Sequence, residues 1–295
     1  DEDDEDDAVP PARAAGTASA ATRIPRSAPA YLHRRRVAGK EPGGPRGAPP
    51  PRCERDVLFF SSGKDSLLAL RKWLRMRQAA GDSAGAALGR LTLLTTFHSR
   101  TGVIAHQETH IQDVVRQARH LNLDLVGVPL HPRREYKDHV GDALDLIKAE
   151  AKREEEGAAA LRLIFGDLHL EHVRGWRDIE MASLTGRDQL VYPLFNESYA
   201  ALLDDLEASG VPCVVSSVHP PEPSEEAKES TPGRDRRCPL RVNDLFGRGA
   251  ARRCEERGWD AFGENGEFHT LARVWDVSSD RALGMVASDP SGCEF

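Results

Sequence analysis

The chain has 295 residues, 39% of them hydrophobic and 29% charged, with a net charge of −7, which suits one large domain or two small ones. No apolar run approaches the ~20 residues needed to cross a bilayer. No basic stripe with interleaved aromatics is present either, so neither a membrane nor a nucleic-acid partner is expected.

The chain begins with Asp1 rather than Met, as a fragment or a processed chain would. Residues 1–7 are an acidic run, and 8–54 are rich in Ala, Pro, Arg and Gly. Such composition buries too little apolar surface to offset the entropy of ordering, so 1–54 is expected to be a disordered tail. The Arg and Ala content of 11–39 has the flavour of an organelle transit peptide, but the acidic run before it argues against a clean one; a cytoplasmic chain is expected, with organelle targeting by the tail as the alternative. The five cysteines (Cys53, Cys213, Cys238, Cys254 and Cys293) are odd in number and lack a CxxC pair. That points to a reducing compartment, with no disulfide framework and no zinc site.

Order is expected from about Asp56. Val57 to Phe60 reads as a strand buried on both faces, followed by a helix with Leu67, Leu70 and Leu74 on one side. Leu91 to Phe97 is a second strand, Ile111, Val114, Val115 and Ala118 mark a helix, and Leu123 to Leu130 is a third strand. Tyr136 to Ile147 suits a helix and Leu161 to Phe165 a fourth strand. This alternation implies βαβ units and a parallel α/β sheet with helices on both faces. Beyond it, Trp176, Ile179 and Leu184 suggest a helix, Leu190 to Phe195 a strand, Tyr199 to Leu206 a helix and Val211 to Val218 a strand. Residues 219–239 read as an exposed insertion, and Phe268 to Trp275 and Leu283 to Ala287 as strands. The expected division is a tail (1–54), a nucleotide-binding domain (55–165) and a smaller C-terminal α/β substrate subdomain (166–295).

The strongest chemical signal is Ser61-Ser62-Gly63-Lys64-Asp65-Ser66, between a buried strand and an amphipathic helix. A helix N-terminus offers unpaired N–H groups and partial positive charge to a phosphate. Gly63 permits close backbone approach, the three serines supply hydroxyls, Lys64 can neutralise phosphate charge, and Asp65 can hold Mg²⁺. It is not a Walker A loop, because Leu58 stands where that pattern needs its first Gly. The plainer alternative is an ordinary helix start with Ser62 and Asp65 as a capping box.

Further along, Gly166-Asp167 follows the fourth strand, at an end that should face a ligand crevice. Asp167 is a candidate metal or ribose contact there, against the alternative of a helix cap. Arg174 and Arg177 pair with carboxylates on their own helix or contact substrate. Gly263-Glu264-Asn265-Gly266-Glu267 is either a hairpin turn or a pocket whose carboxylates hold Mg²⁺ or a cationic group. His106 and His110 lack the Glu of a zinc-protease motif and read as a polar helix face; His169 and His172, flanking Glu171, read as ordinary hydrogen-bonding residues, with metal binding as the alternative. His98, with Phe97, is expected to line a nucleotide pocket.

Three segments together resemble one family. Ser61 to Ser66 is similar to the Ser-Gly-Gly-Lys-Asp-Ser loop of PP-loop, or N-type, ATP pyrophosphatases, with Ser62 where the family has its first Gly. Phe165 to Glu171 with Arg174-Gly175-Trp176-Arg177, and Gly263 to Thr270, resemble motifs of the diphthine–ammonia ligase-like group; Leu190 to Phe195 resembles its intervening strand. The resemblance runs from about 56 to 276 without the insertion. It implies a HUP-like (adenine nucleotide alpha-hydrolase-like) fold and an ATP-dependent ligase. In that activity a carboxylate is adenylated with Mg²⁺, pyrophosphate is released, and ammonia captures the acyl-adenylate. The implied acceptor is diphthine on elongation factor 2. The implied catalytic residues are Lys64, Asp65, Asp167 and Glu267, with Asp65 and Asp167 on the metal. ATP would contact Ser61 to Ser66, Phe97, His98 and Gly166. Substrate would contact Arg174, Glu264, Asn265, Gly266, Glu267 and Thr270. Modification of tRNA by a PP-loop enzyme and a non-catalytic ATP-binding regulatory module are the alternatives.

Overall fold

Val57 and Leu58 are fully buried in strand β2 (Glu54–Phe59), which takes a neighbour on each side. It runs parallel to β3 (Leu91–His98) and to β5 (Ala160–Ile164). The computed structural model describes residues 24–36, 54–104, 107–154, 160–186, 189–219 and 238–285. Beyond β3 lies β4 (Asp124–Leu130), and beyond β5 lies β6 (Leu190–Val191), both parallel to their neighbours. The sheet closes with β1 (Ala30–His33), antiparallel to β4, giving the order β1-β4-β3-β2-β5-β6.

Helices cover both faces, so the protein is mixed α/β with a mostly parallel sheet, compatible with a Rossmann-like fold. On one side α1 (Lys64–Ala79) and α3 (Ile111–Leu121) pack Leu67, Leu70, Leu74, Val114 and Ala118 against Leu58, Leu93 and Phe97. On the other, α4 (Tyr136–Glu154) packs Val140, Leu144 and Ile147 against Val57, Leu94 and Val126. Each fully buried Leu or Val contributes roughly 1.5–3 kcal/mol. A second, antiparallel sheet of β7 (Cys213–Val218), β8 (Leu245–Phe246) and β9 (Phe268–Ala272) has the order β8-β7-β9. Among the described residues, no helix is long and apolar enough to cross a membrane.

The chain leaves β2 toward β3 and β4 on one side, then returns to place β5 and β6 on the other. The carboxyl ends of β2 and β5 are therefore a switch point, the place where an open parallel sheet forms its ligand crevice.

Several expectations change. Residues 30–33, within the expected tail, form an edge strand with Leu32 buried against Gly127. Two neighbouring apolar residues, Tyr31 and Leu32, are too short a signal to stand out from a Pro- and Arg-rich surround. Residues 1–23 and 37–53 of the tail, and 220–237 of the insertion, lie outside the described residues. The strand expected over Leu190 to Phe195 stops at Val191; Pro193 cannot donate to a ladder, and a turn follows with Asn196 at φ 62°. The strand expected to reach Trp275 ends at Ala272, before a 3₁₀ turn at Val274–Asp276. In place of a strand from Leu283 there is a helix, Ser279–Leu283, with Ser278 capping its start and Gly284 (φ 75°) ending it; residues 286 and 287 are outside the described residues. The stripe of Trp176 and Ile179 belongs to α5 (Glu171–Glu180), but both side chains are exposed (43% and 69%) rather than core. Sequence periodicity gave no element to Ala84–Gly89 (α2), to the strand Leu245–Phe246, or to the helix Arg248–Glu256.

Candidate nucleotide site

The loop leaving β2 enters α1 through Gly63, the N-cap residue, with extended backbone. Ser62 before it is fully buried and held at φ 76°, a left-handed conformation that favours glycine. Three contacts hold it there. Its hydroxyl meets Thr109 Oγ1 at 3.0 Å, and its carbonyl accepts from Ala272 N at 2.9 Å and from Gln117 Nε2 at 2.9 Å. The buried amide of Gln117 also donates to Ala272 O at 2.7 Å, so one side chain ties the loop to β9. No capping box forms, because Gly63 rather than Ser62 is the cap and it has no side chain to bond the helix start. A Cβ on Gly63 would stand 3.1 Å from Thr270 O, so its smallness lets the second sheet close on the loop. Thr270 Oγ1 accepts from Lys64 N at 3.1 Å, and the Ser66 hydroxyl donates to Gly63 O at 2.9 Å.

Lys64 is buried. Its ammonium donates to Phe262 O at 2.6 Å and to Asp65 Oδ2 at 2.8 Å, with the rings of Phe246, Phe262 and Phe268 5.2–5.5 Å away. It is therefore a tie between α1 and the second sheet, with its charge already balanced. Burial pushes the Asp65 carboxyl up against the opposing pull of Lys64, and Asp65 Oδ1 has no hydrogen-bond partner.

Opposite lies the turn before β9. Gly263 and Gly266 have φ of 73° and 84°, which the turn requires. Asp260 Oδ1 accepts from Phe262 N and Glu264 N at 2.8 and 3.1 Å, and Asp260 Oδ2 accepts from the Tyr199 hydroxyl at 2.7 Å. Burial first, then nearby Asp65, pushes the Glu264 carboxyl up to about 8. Glu267 faces inward: it is 5% exposed and accepts from Asp260 N, Asn265 N and Asn265 Nδ2. Its carboxylate builds the turn and does not border the open space.

From β5, Gly166 brings the chain against α1, where a Cβ would stand 3.1 Å from Asp65 O. Asp167 is engaged by both arms of Arg177, at 2.6 and 3.1 Å. Arg177 thus reaches off its own helix, whereas Arg174 stays near Asp178 and over the Phe195 ring.

These elements surround a cleft of about 700 Å³ at the switch point. Of the expected residues, Ser61, Gly63, Lys64, Asp65, Ser66, Gly166, Asp167, Glu264, Gly266 and Thr270 border it. Ser62, Phe97, His98, Arg174, Asn265 and Glu267 do not. Phe97 is sealed into the core because the chain after β3 folds back, with Phe97 bridged to Ile104 and His98 N donating to Val103 O at 2.8 Å. His98 is left on the exposed side of that turn. Asn265 is exposed at the turn tip. His106 lies outside the described residues, and the His110 ring caps α3 through Gln112 N.

Arg177, weighed in the sequence as an ion-pair or substrate residue, borders the cleft, and so do residues that sequence reasoning missed: Thr95, Thr96, Gln107, Tyr136 and Trp176. Of these only Trp176 sat in a motif; Thr95 and Thr96 come from β3, Gln107 from the loop after it and Tyr136 from the start of α4. Among the described residues, no three His, Cys, Asp or Glu side chains converge to hold a metal ion. Magnesium bound through phosphate oxygens and one or two carboxylates needs less. Asp65 Oδ1, without a hydrogen-bond partner, fits that requirement; Asp167 borders the same cleft with each oxygen accepting one bond from Arg177, which leaves further acceptor sites on the carboxylate. No protein-family model and no curated protein matches the chain.

Proposed function

We propose that the cleft binds ATP and that the chain, in a HUP-like fold, is an AMP-forming amide ligase acting on a carboxylate. The observation that carries this reading is positional: the N-terminus of α1, bearing 61–66, opens at the switch point onto a cleft large enough for a nucleotide.

The pyrophosphate end lies along 61–66, and the nucleoside extends toward Thr95, Tyr136 and Trp176 rather than toward Phe97 and His98. A substrate carboxylate oxygen attacks the α-phosphorus as the bond to pyrophosphate breaks. Backbone N–H groups of the loop stabilise the charge on the leaving group, and Arg177, held at the same cleft by Asp167, offers its remaining N–H donors. Magnesium, held by Asp65 and phosphate oxygens, supplies further charge neutralisation when bound. Ammonia then attacks the acyl carbon, loses a proton, and AMP leaves. The segments 165–177 and 263–270 support diphthine on elongation factor 2 as the acceptor.

One observation favours an ATP-binding module without turnover: Lys64 is locked under three phenylalanines and is not free to follow a phosphate. The two readings part in one experiment. AMP and pyrophosphate are assayed with ATP, Mg²⁺ and ammonium, with and without diphthine-bearing elongation factor 2. The ligase releases both in a factor-dependent way, and Asp65→Asn lowers the rate at least about 100-fold. ATP binding without release would favour the module.

A further inference from the structure

We infer that the Thr95 hydroxyl is a hydrogen-bond contact for the bound nucleotide, an inference that rests on the nucleotide reading of the cleft. Thr95 borders the cleft from β3, is 2% exposed, and its Oγ1 has no hydrogen-bond partner. A buried hydroxyl without a partner is a rarity that calls for a ligand or a water.

Four neighbouring hydroxyls are already engaged. Ser66 donates to Gly63 O, Thr270 accepts from Lys64 N, Ser62 meets Thr109, and Thr96 bonds Tyr136. Thr95 also stands beside the loop. The preceding residue, Leu94, accepts from Phe60 N at 2.8 Å, immediately before Ser61. Its β-branch restricts χ1, so the hydroxyl is aimed before the ligand arrives. A hydroxyl both donates and accepts, which suits a ribose hydroxyl, a ring nitrogen or a phosphate oxygen.

The test is Thr95→Val, which keeps the shape and deletes the hydroxyl, with Thr95→Ser as the conservative control. Binding of ATP, adenosine and tripolyphosphate is measured by calorimetry, and melting of the free protein by circular dichroism. The contact predicts opposite movements in Thr95→Val: the free protein melts higher, having lost a buried unpaired group, while ATP binds about tenfold more weakly. Thr95→Ser should stay within about threefold of wild type. The same loss for adenosine assigns the contact to the nucleoside, and for tripolyphosphate to the phosphates; either supports the inference. Unchanged ATP affinity in Thr95→Val overturns it, as does a fall in both melting temperature and affinity, which marks a packing role. Failure of the wild-type protein to bind ATP is a different result: it removes the nucleotide reading, and this contact with it.

Discussion

Ser62 carries two opposing effects on one residue. Its left-handed backbone costs roughly 1–2 kcal/mol in a residue with a Cβ, and its buried hydrogen bond to Thr109 returns about 1 kcal/mol. Ser62→Gly relieves the strain but loses the bond and orphans Thr109, so it should fall within about 1 kcal/mol of wild type. Ser62→Ala keeps the strain, loses the bond and orphans Thr109, and should cost about 2 kcal/mol. Denaturant melts of the pair test this; equal stabilities would show that the backbone there is not strained. Glu264 makes a prediction about pH. Its carboxyl is raised in the folded protein from 4.5 to about 8, so the folded state holds the proton more tightly than the unfolded chain. The stability this contributes is full below about 4.5 and is lost as pH rises toward 8. Glu264→Gln, neutral throughout, should melt with a flatter pH dependence across that window and gain on the wild type at pH 8. Parallel curves would refute the assignment.

At the scale of elements, what a sequence reveals depends on how local its cause is. The strand, loop and helix over 57–74 were readable because a buried run, a small-residue loop and a leucine stripe are all written in neighbouring residues. The fate of Phe97 was not, since the turn through Val103 and Ile104 seals it into the core. Glu267 read as a pocket acid because its motif is carboxylate-rich, yet the backbone of the turn turns it inward to satisfy three donors. Gln117 sat unnoticed on the buried face of α3, where its amide joins Ser62, 55 residues before it, to Ala272, 155 residues after it. Removing that tie with Gln117→Leu should cost about 2–3 kcal/mol and weaken ATP binding together with stability. A variant as stable as wild type would mean that the loop and β9 hold together without it.

Across the whole molecule, the parallel α/β architecture was legible from alternating strand and helix patterns, and so was the region of the crevice. Strand order was not, because it depends on the chain crossing back over β2 after β4. Ten of the sixteen residues expected at the site border the cleft, all of them in the three motif segments; the expected residues that do not include both taken from β3 alone. The second sheet completes the site by closing on the start of α1 through Thr270 and the enclosed Lys64, and on the loop before it through Gln117 of α3. The central claim is that this crevice holds ATP for cleavage between its α- and β-phosphates. The most direct measurement is the identity of the products formed from ATP with Mg²⁺, ammonium and diphthine-bearing elongation factor 2. Equal amounts of AMP and pyrophosphate are predicted; ADP and phosphate, or no product from bound ATP, would contradict the account.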